Sequence, residues 1–246
     1  MKFLKLIVPL FLFVFISCGD DDTIQPTSGE LSIQFNHNWN RKEIEFNEQN
    51  FTNAFGQELS ITKLRYLISD IVLHLPDNNS IPIDGYILVD LNESNLIAYA
   101  PNIPFNNYTG LSFTFGFDEN DNLDGAYPDL NSASWNWPSM LGGGYHFMQL
   151  EGKYENSGTE NPYAYHMGTA RKNPGEFEQN YFNVALDGFN FTQESTINIQ
   201  MNIAEWFTNP QNWDLEVYDI DLMMNYDAQK LMNVNGKSVF SLGEIN

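Results

Sequence analysis

The sequence predicts an all-β protein: a single antiparallel β-sandwich with few short helices. Three observations carry this. Several segments alternate apolar and polar residues with a period of two, the mark of a half-buried strand. Pro, Gly and Asn cluster between those segments, as turns require. Helix-period stretches are scarce, and neither an internal repeat nor a second linker interrupts the 246 residues.

In order along the chain, "LSIQFNHNW" puts Leu31, Ile33, Phe35, His37 and Trp39 on one face. "LRYLISDIVLHL" begins with Leu64, Tyr66 and Ile68 on one face and then slips phase to Ile71, Leu73 and Leu75. That slip predicts a bulge near Ser69 and Asp70. "GYILVDL" is a further strand. "GLSFTFGF" aligns Leu111, Phe113, Phe115 and Phe117, and "TINIQMNI" aligns Ile197, Ile199, Met201 and Ile203. Two short helices are expected: "NESNLIAYA", capped by Asn92 or Ser94, and "DAQKLMNV" near the C-terminus.

The N-terminal "MKFLKLIVPLFLFVFISC" joins Lys2 and Lys5 to an apolar run and ends in Ser17 and Cys18, the only cysteine. It reads as a secretory signal whose apolar run is short for a bilayer span. It resembles a lipoprotein signal, in which Cys18 becomes the lipidated first residue; an ordinary signal peptide or a short anchor is the alternative. The expected division is a signal over 1–17, a flexible acidic tether over 18–30 and the β-sandwich over 31–246. Asp20, Asp21 and Asp22 resemble the surface-export signal of Bacteroidetes-type lipoproteins. An outer-membrane location facing the cell exterior follows, with a periplasm-facing anchor as the rival. The mature chain would hold no disulfide.

Charge is one-sided. Without Lys2 and Lys5, 9 basic residues face 32 acidic ones, a net −23. Nucleic acid is excluded as a partner, because phosphate binding needs a basic footprint. An acidic surface concentrates cations, or serves solubility alone.

Candidate ligands are few. His74 ends a strand beside an exposed turn. His37 sits in an apolar row, where an imidazole needs a partner. His166 lies beside Ala164, opposite Tyr163 and Tyr165, and His146 shares a face with Met148 and Leu150. Trp135 and Trp137 precede a glycine-rich loop with little to bury two indoles; they are site residues or paired strand aromatics. Asp118, Asn120, Asn122 and Asp124 alternate like Ca²⁺ ligands. However, Leu123 stands where an EF-hand loop needs glycine, so a looser calcium loop or an acidic turn remains. Zinc-protease, zinc-finger, nucleophile-elbow and P-loop motifs are absent from the sequence, and no enzyme activity is expected.

Taken in order, "FNH", "ITKLRYLISDI", "FTFGFD", "WNW", "GYHFMQLEG", "YHMG" and "INIQMNIAEWF" resemble the MbnP-like copper-binding domain, from about Leu31 to the C-terminus. The resemblance implies a secreted or surface copper protein with a β-rich fold. It further implies that a tryptophan is oxidised to kynurenine by a di-haem, peroxidase-type partner and helps two histidines hold the metal. By position, the implied imidazole ligands are His37 and His166, with Trp135 or Trp137 as the aromatic and His146 beside them. One departure stands out: "PSMLGG" lengthens the gap after the tryptophan pair, and Ser134 replaces a methionine often found before it. Met140 is the candidate to compensate. The rival function is a carbohydrate- or peptide-binding lipoprotein using exposed aromatics on the β-scaffold, followed by a structural surface protein with no small ligand.

Overall fold

The computed structural model describes residues 26–246. The signal, Cys18 and the acidic triplet lie outside them. In chain order the strands are β1 (Ser28–Trp39), β2 (Lys42–Glu43), β3 (Phe51–Thr52), β4 (Glu58–His74), β5 (Ser80–Asp90), β6 (Ile97–Pro104) and β7 (Asn106–Phe115). A short helix α1 (Pro128–Ser132) intervenes before β8 (Met148–Asn156), β9 (Thr159–Met167), β10 (Ala170–Asn173), β11 (Glu176–Glu178), β12 (Phe182–Phe191) and β13 (Ser195–Asn202). Helix α2 (Tyr226–Gly236) and β14 (Phe240–Ile245) close the chain. The first strand thus begins three residues before the expected domain start at Leu31.

Two sheets form an all-β sandwich. One has five strands in the order β14-β13-β1-β2, with β6 also on β1; the other has seven in the order β12-β7-β4-β8-β9, with β3 and β5 also on β4. A small β10-β11 hairpin stands apart. Pairing between these strands is antiparallel with one exception: β1 and β13 run parallel, from Leu31 opposite Ser195 to Asn38 opposite Asn202. Parallel neighbours need a long crossover, and here the whole seven-stranded sheet supplies it.

The inner faces share one core. Leu31, Ile33 and Phe35 meet Leu64, Tyr66 and Ile68, with Ile197, Ile199 and Met201 beside them. Phe115 sits at its centre, stacked on Tyr66 (5.7 Å) and Phe182 (4.8 Å) and tilted against Trp206 (5.4 Å). The phase slip in β4 is a bulge: register shifts between Ser69 and Ile71, and Asp70 takes a φ of 50°. Both halves of β4 therefore face the core.

One expected helix forms and one does not. α2 covers "DAQKLMNV" and is capped by the Asn225 side chain, which accepts from the Ala228 N–H at 3.0 Å. In "NESNLIAYA", the Asp90 carboxylate instead closes a turn by accepting from the Asn92 and Glu93 N–H groups. From Ile97 the chain pairs with β1. A nine-residue helix is marginal in water, whereas the open edge of an apolar strand offers a full ladder.

β7 and β8 occupy the same edge of β4, one after the other. β7 pairs with Ile68–His74 and β8 with Leu59–Tyr66. Between them, Leu67 accepts from the Gly116 N–H and donates to the Phe147 carbonyl. Residues 116–147 therefore leave the sheet mid-edge and fold over its outer face. There Leu67, Phe117, Leu130, Trp135 and Tyr145 build a second small core.

Phe115→Ala removes the ring on which the inner core converges. The expected cost is about 3–5 kcal/mol, read as a lower midpoint in urea with an unchanged slope.

Candidate metal centre

The outer face of the seven-stranded sheet carries a polar row across three strands: Arg65 on β4, Gln149 on β8 and His166 on β9, in register. Next to it, Glu151 on β8 accepts from the Lys63 Nζ (2.8 Å) and from the His166 Nε2 (2.8 Å). The His166 hydrogen bond, with Lys63 behind it, pulls the Glu151 carboxyl down to about 2 against the opposing effect of burial.

The excursion lays a lid on this row. Trp137 N–H donates to the Gly144 carbonyl and His146 N–H to the Trp135 carbonyl, each at 2.9 Å, with Asn136 bridged to Tyr145. The tryptophan pair is thus one arm of a tiny ladder and "GYH" the other. Gly142, Gly143 and Gly144 turn between them at φ of 116°, 68° and 79°, a region side chains disfavour. At Gly144 a Cβ would also lie 2.3 Å from the Asn122 Oδ1.

His146 is held between the indoles. Its ring centre lies 5.4 Å from Trp135 and 4.9 Å, edge-on, from Trp137. Both tryptophans are buried, so the loop covers two indoles after all. The Arg65 guanidinium lies over the outer side of Trp135, 4.9 Å from its centre, and pairs with Asp90 at 2.8 Å. Trp137 rests on Gly168, where a Cβ would lie 2.5 Å from the indole. That contact explains the glycine of "YHMG".

The two histidines meet. The centres of the His146 and His166 rings are 5.4 Å apart and their planes nearly perpendicular, at 83°. His146 Nδ1 lies 3.1 Å from the Trp135 carbonyl and His166 Nε2 lies 2.8 Å from the Glu151 carboxylate. A carbonyl and an ionised carboxylate can only accept, so these nitrogens carry hydrogens. In neutral rings His146 Nε2 and His166 Nδ1 then present lone pairs, and neither makes a hydrogen bond among the described residues. Burial lowers His146 to about 4, and the nearby His166 and Arg65 charges push the same way, against the Trp135 hydrogen bond. That ring is neutral at physiological pH.

An imidazole bound at about 2.0–2.1 Å has its centre roughly 3 Å from the ion, so two rings sharing one ion stand up to about 6 Å apart. The observed separation of 5.4 Å lies within that limit. Among the described residues no group of three or more His, Cys, Asp or Glu side chains gathers around a common point. The site is therefore two imidazoles walled by indoles. The buried Trp135 Nε1–H has no acceptor among the described residues.

His37 is not part of it. It points into the sandwich, as its apolar row implied, with Nε2 2.8 Å from the Tyr66 hydroxyl. Tyr66 faces the core and Arg65 the outer side, so the sheet separates His37 from His166. The pairing of those two histidines as ligands is overturned. His146 does not share a face with Met148 and Leu150, because β8 starts only at Met148 and the preceding residues belong to the excursion. His74 is bonded to the Ser112 hydroxyl at 2.7 Å. Met140 is exposed on a turn at Ser139–Leu141.

The four oxygen residues are used otherwise. Asp118 accepts from the Asn120 and Asp121 N–H groups and from the Asn120 amide, closing its own turn. Asn122 accepts from the Tyr145 N–H and donates to the Thr169 hydroxyl, and Asp124 lies 3.4 Å from the Ser139 hydroxyl. The segment thus serves as a clasp for the excursion.

Fold and site together define a β-sandwich domain with a cluster of two histidines and two tryptophans on one outer face. The chain belongs to the MbnP family, whose model matches residues 28–225. Among solved structures it is similar in fold to MbnP from Methylosinus trichosporium. The TM-score is 0.59 at 16% identity, covering 88% of this chain and 98% of that one. No curated protein sequence matches it.

His37 also sets an acid response. Burial lowers it to about 3, with Tyr66 its hydrogen-bond partner among the described residues and Glu43 at the rim of the shallow pocket it lines. Its folded pKa lies below the unfolded value of about 6.5, so stability is lost as pH falls from about 6.5 towards 3. In His37→Gln the slope of unfolding free energy over that window should flatten by up to about 1 kcal/mol per pH unit, since water at the rim softens the limit of 1.36. Urea titrations of both proteins at pH 7, 5 and 4 measure it.

Proposed function

We propose that this protein binds copper at the His146–His166 pair and catalyses no reaction of its own. The observation that carries the reading is the convergence of two imidazoles whose outer nitrogens are each fixed by an acceptor. This is the arrangement by which proteins orient histidine ligands and raise their basicity. Imidazole nitrogens without thiolate suit Cu(I) and Cu(II). A bound ion would supply a soft, redox-active cation against the two indoles. Membership of the MbnP family supports the reading. So does the acidic surface, which raises the local concentration of cations.

In this reading Trp135 and Trp137 are the indoles open to oxidation to kynurenine by a di-haem, peroxidase-type partner. Cys18 carries a lipid anchor that holds the domain at the outer membrane, facing outward. The second reading, carbohydrate or peptide binding, draws on one feature. Tyr99 is 62% exposed beside a surface groove of about 420 Å³ that also holds Asp84, Asn95 and Asp129.

Copper titration of purified protein should give one site of low-micromolar or tighter affinity. The His146→Ala, His166→Ala double variant should lose it, while His37→Ala should keep it. Equal copper retention by the double variant sinks the assignment. A glycan array that shows metal-independent binding would favour the second reading.

Cells making the full chain should incorporate labelled fatty acid into it and lose the label in Cys18→Ser. Label persisting in that variant would refute the anchor.

A further inference from the structure

We infer that Gln229 of α2 is the positioning residue of the two-histidine pocket: its buried amide clamps the backbone on both sides of Met167 and so fixes His166 and the Trp137 wall together. The role of the pocket rests on the copper reading; the clamp itself rests on the hydrogen bonds.

Gln229 is fully buried. Its Nε2 donates to the His166 carbonyl at 2.7 Å and to the Leu222 carbonyl at 3.1 Å. Its Oε1 accepts from the Gly168 N–H at 3.1 Å and, more weakly, from the Asn180 Nδ2 at 3.4 Å. Asn180 donates as well to the main-chain carbonyl of Gln229, at 2.9 Å. Carbonyls only accept and a peptide N–H only donates, so the network fixes which way the amide faces. All of its hydrogen-bonding capacity is used, and a buried amide left short would cost more than its bonds contribute.

The position of the clamp gives it leverage. β9 ends at Met167, and the β8–β9 ladder stops at the Met148–Met167 pair. Beyond that point the backbone has left the ladder. Gln229 holds the residue carrying the imidazole through its carbonyl, and the residue under Trp137 through its N–H. Trp137 in turn sets the edge contact on His146. A single side chain therefore bears on one ligand directly and on the other through the indole. It lies on α2, beyond residue 225 where the family match ends.

Asn233 supplies the control. It lies one turn along the same helix and is buried. It donates to the Asn180 and Tyr181 carbonyls and makes no hydrogen bond to residues 166–168. A role confined to docking α2 would make the two residues equivalent.

The experiment is performed on Gln229→Ala, Gln229→Asn and Asn233→Ala, first without metal. Nitrogen-15 spectra of the imidazoles should show His166 moving from a single tautomer to a mixture in the Gln229 variants, with His37 and His74 unmoved. Cu(I) affinity should fall at least tenfold in Gln229→Ala and less in Gln229→Asn, whose amide is one methylene short. Asn233→Ala should lose thermal stability yet keep the His166 signals and the affinity. Unchanged His166 signals in the Gln229 variants, or equal changes in Asn233→Ala, overturn the proposal. Should Gln229→Ala not fold, Gln229→Asn decides it. If the parent protein binds no copper, the copper reading fails and the metal-free spectra alone decide the clamp.

Discussion

The site depends on a competition for one edge of a single strand. β4 is 17 residues long, and neither β7 nor β8 covers its full edge. Each takes part of it, and the chain between them has to leave the sheet where they meet, at Leu67. A connection leaving the middle of a sheet cannot stay in its plane, and the inner face is filled by the core. Only the outer face is open. His166, placed on that face by the alternation of β9, and His146, carried in by the returning chain, are brought together by this constraint.

Packing then decides the chemistry of the two rings. Each ring has one nitrogen facing an acceptor. The Trp135 carbonyl belongs to the ladder that builds the lid, and Glu151 belongs to the sheet. The tautomers are therefore set by two separate structures that meet at this pocket. Arg65 neutralises Asp90 and presses on Trp135, so a cation supports the wall without touching either imidazole. The acidic surface and this small cationic patch are compatible because Lys63 and Arg65 are each matched to a carboxylate.

Much of this was legible in the sequence where period two holds. The faces of β1, β4 and β13, of β7 as far as Phe115, and the bulge at Ser69 and Asp70 follow from alternation alone. So does the inward aim of His37, and alternation sets Ala164 and His166 opposite the buried Tyr163 and Tyr165; the pairing of His37 with His166 came from the family resemblance, which the two faces do not support. Phe117, which alternation aligns with Phe115, lies instead in the small outer core, because β7 ends at Phe115 and Gly116 turns the chain at a φ of 95°. What alternation cannot give is register between strands distant in sequence. The roles of Glu151, Lys63 and Arg65 depend on which residue of β8 lies opposite which residue of β4 and β9. The reading of "GYHFMQLEG" as one strand failed for a related reason: its first residues pair with the tryptophan arm, and the sheet begins only at Met148. Gln229 was illegible because a buried amide in a helix carries no periodic signal.

The resemblance to the MbnP-like domain implies a longer gap between the tryptophans and His146 than the family usually has. Added residues in a loop threaten a site when they change where its ends lie. Here Pro138 to Gly143 close on themselves: the Pro138 carbonyl accepts from the Leu141 and Gly143 N–H groups, and the Ser139 carbonyl from the Gly142 N–H. The loop's own turns absorb the extra length, and the three left-handed glycines return the chain beside Trp137. Closing a slightly longer loop costs only fractions of a kcal/mol, of order RT for small changes in length. Restoring the ladder between Trp137 and Gly144 recovers more than that. The Trp137 N–H still meets the Gly144 carbonyl, and its Nε1–H donates to the Leu141 carbonyl at 3.2 Å. The loop thus supplies a bond that steadies the indole, and Ser134 lies in left-handed backbone just before Trp135. The tryptophan pair keeps its place against His146 because its position is set by that ladder and by Gly168, and neither depends on the length of the loop.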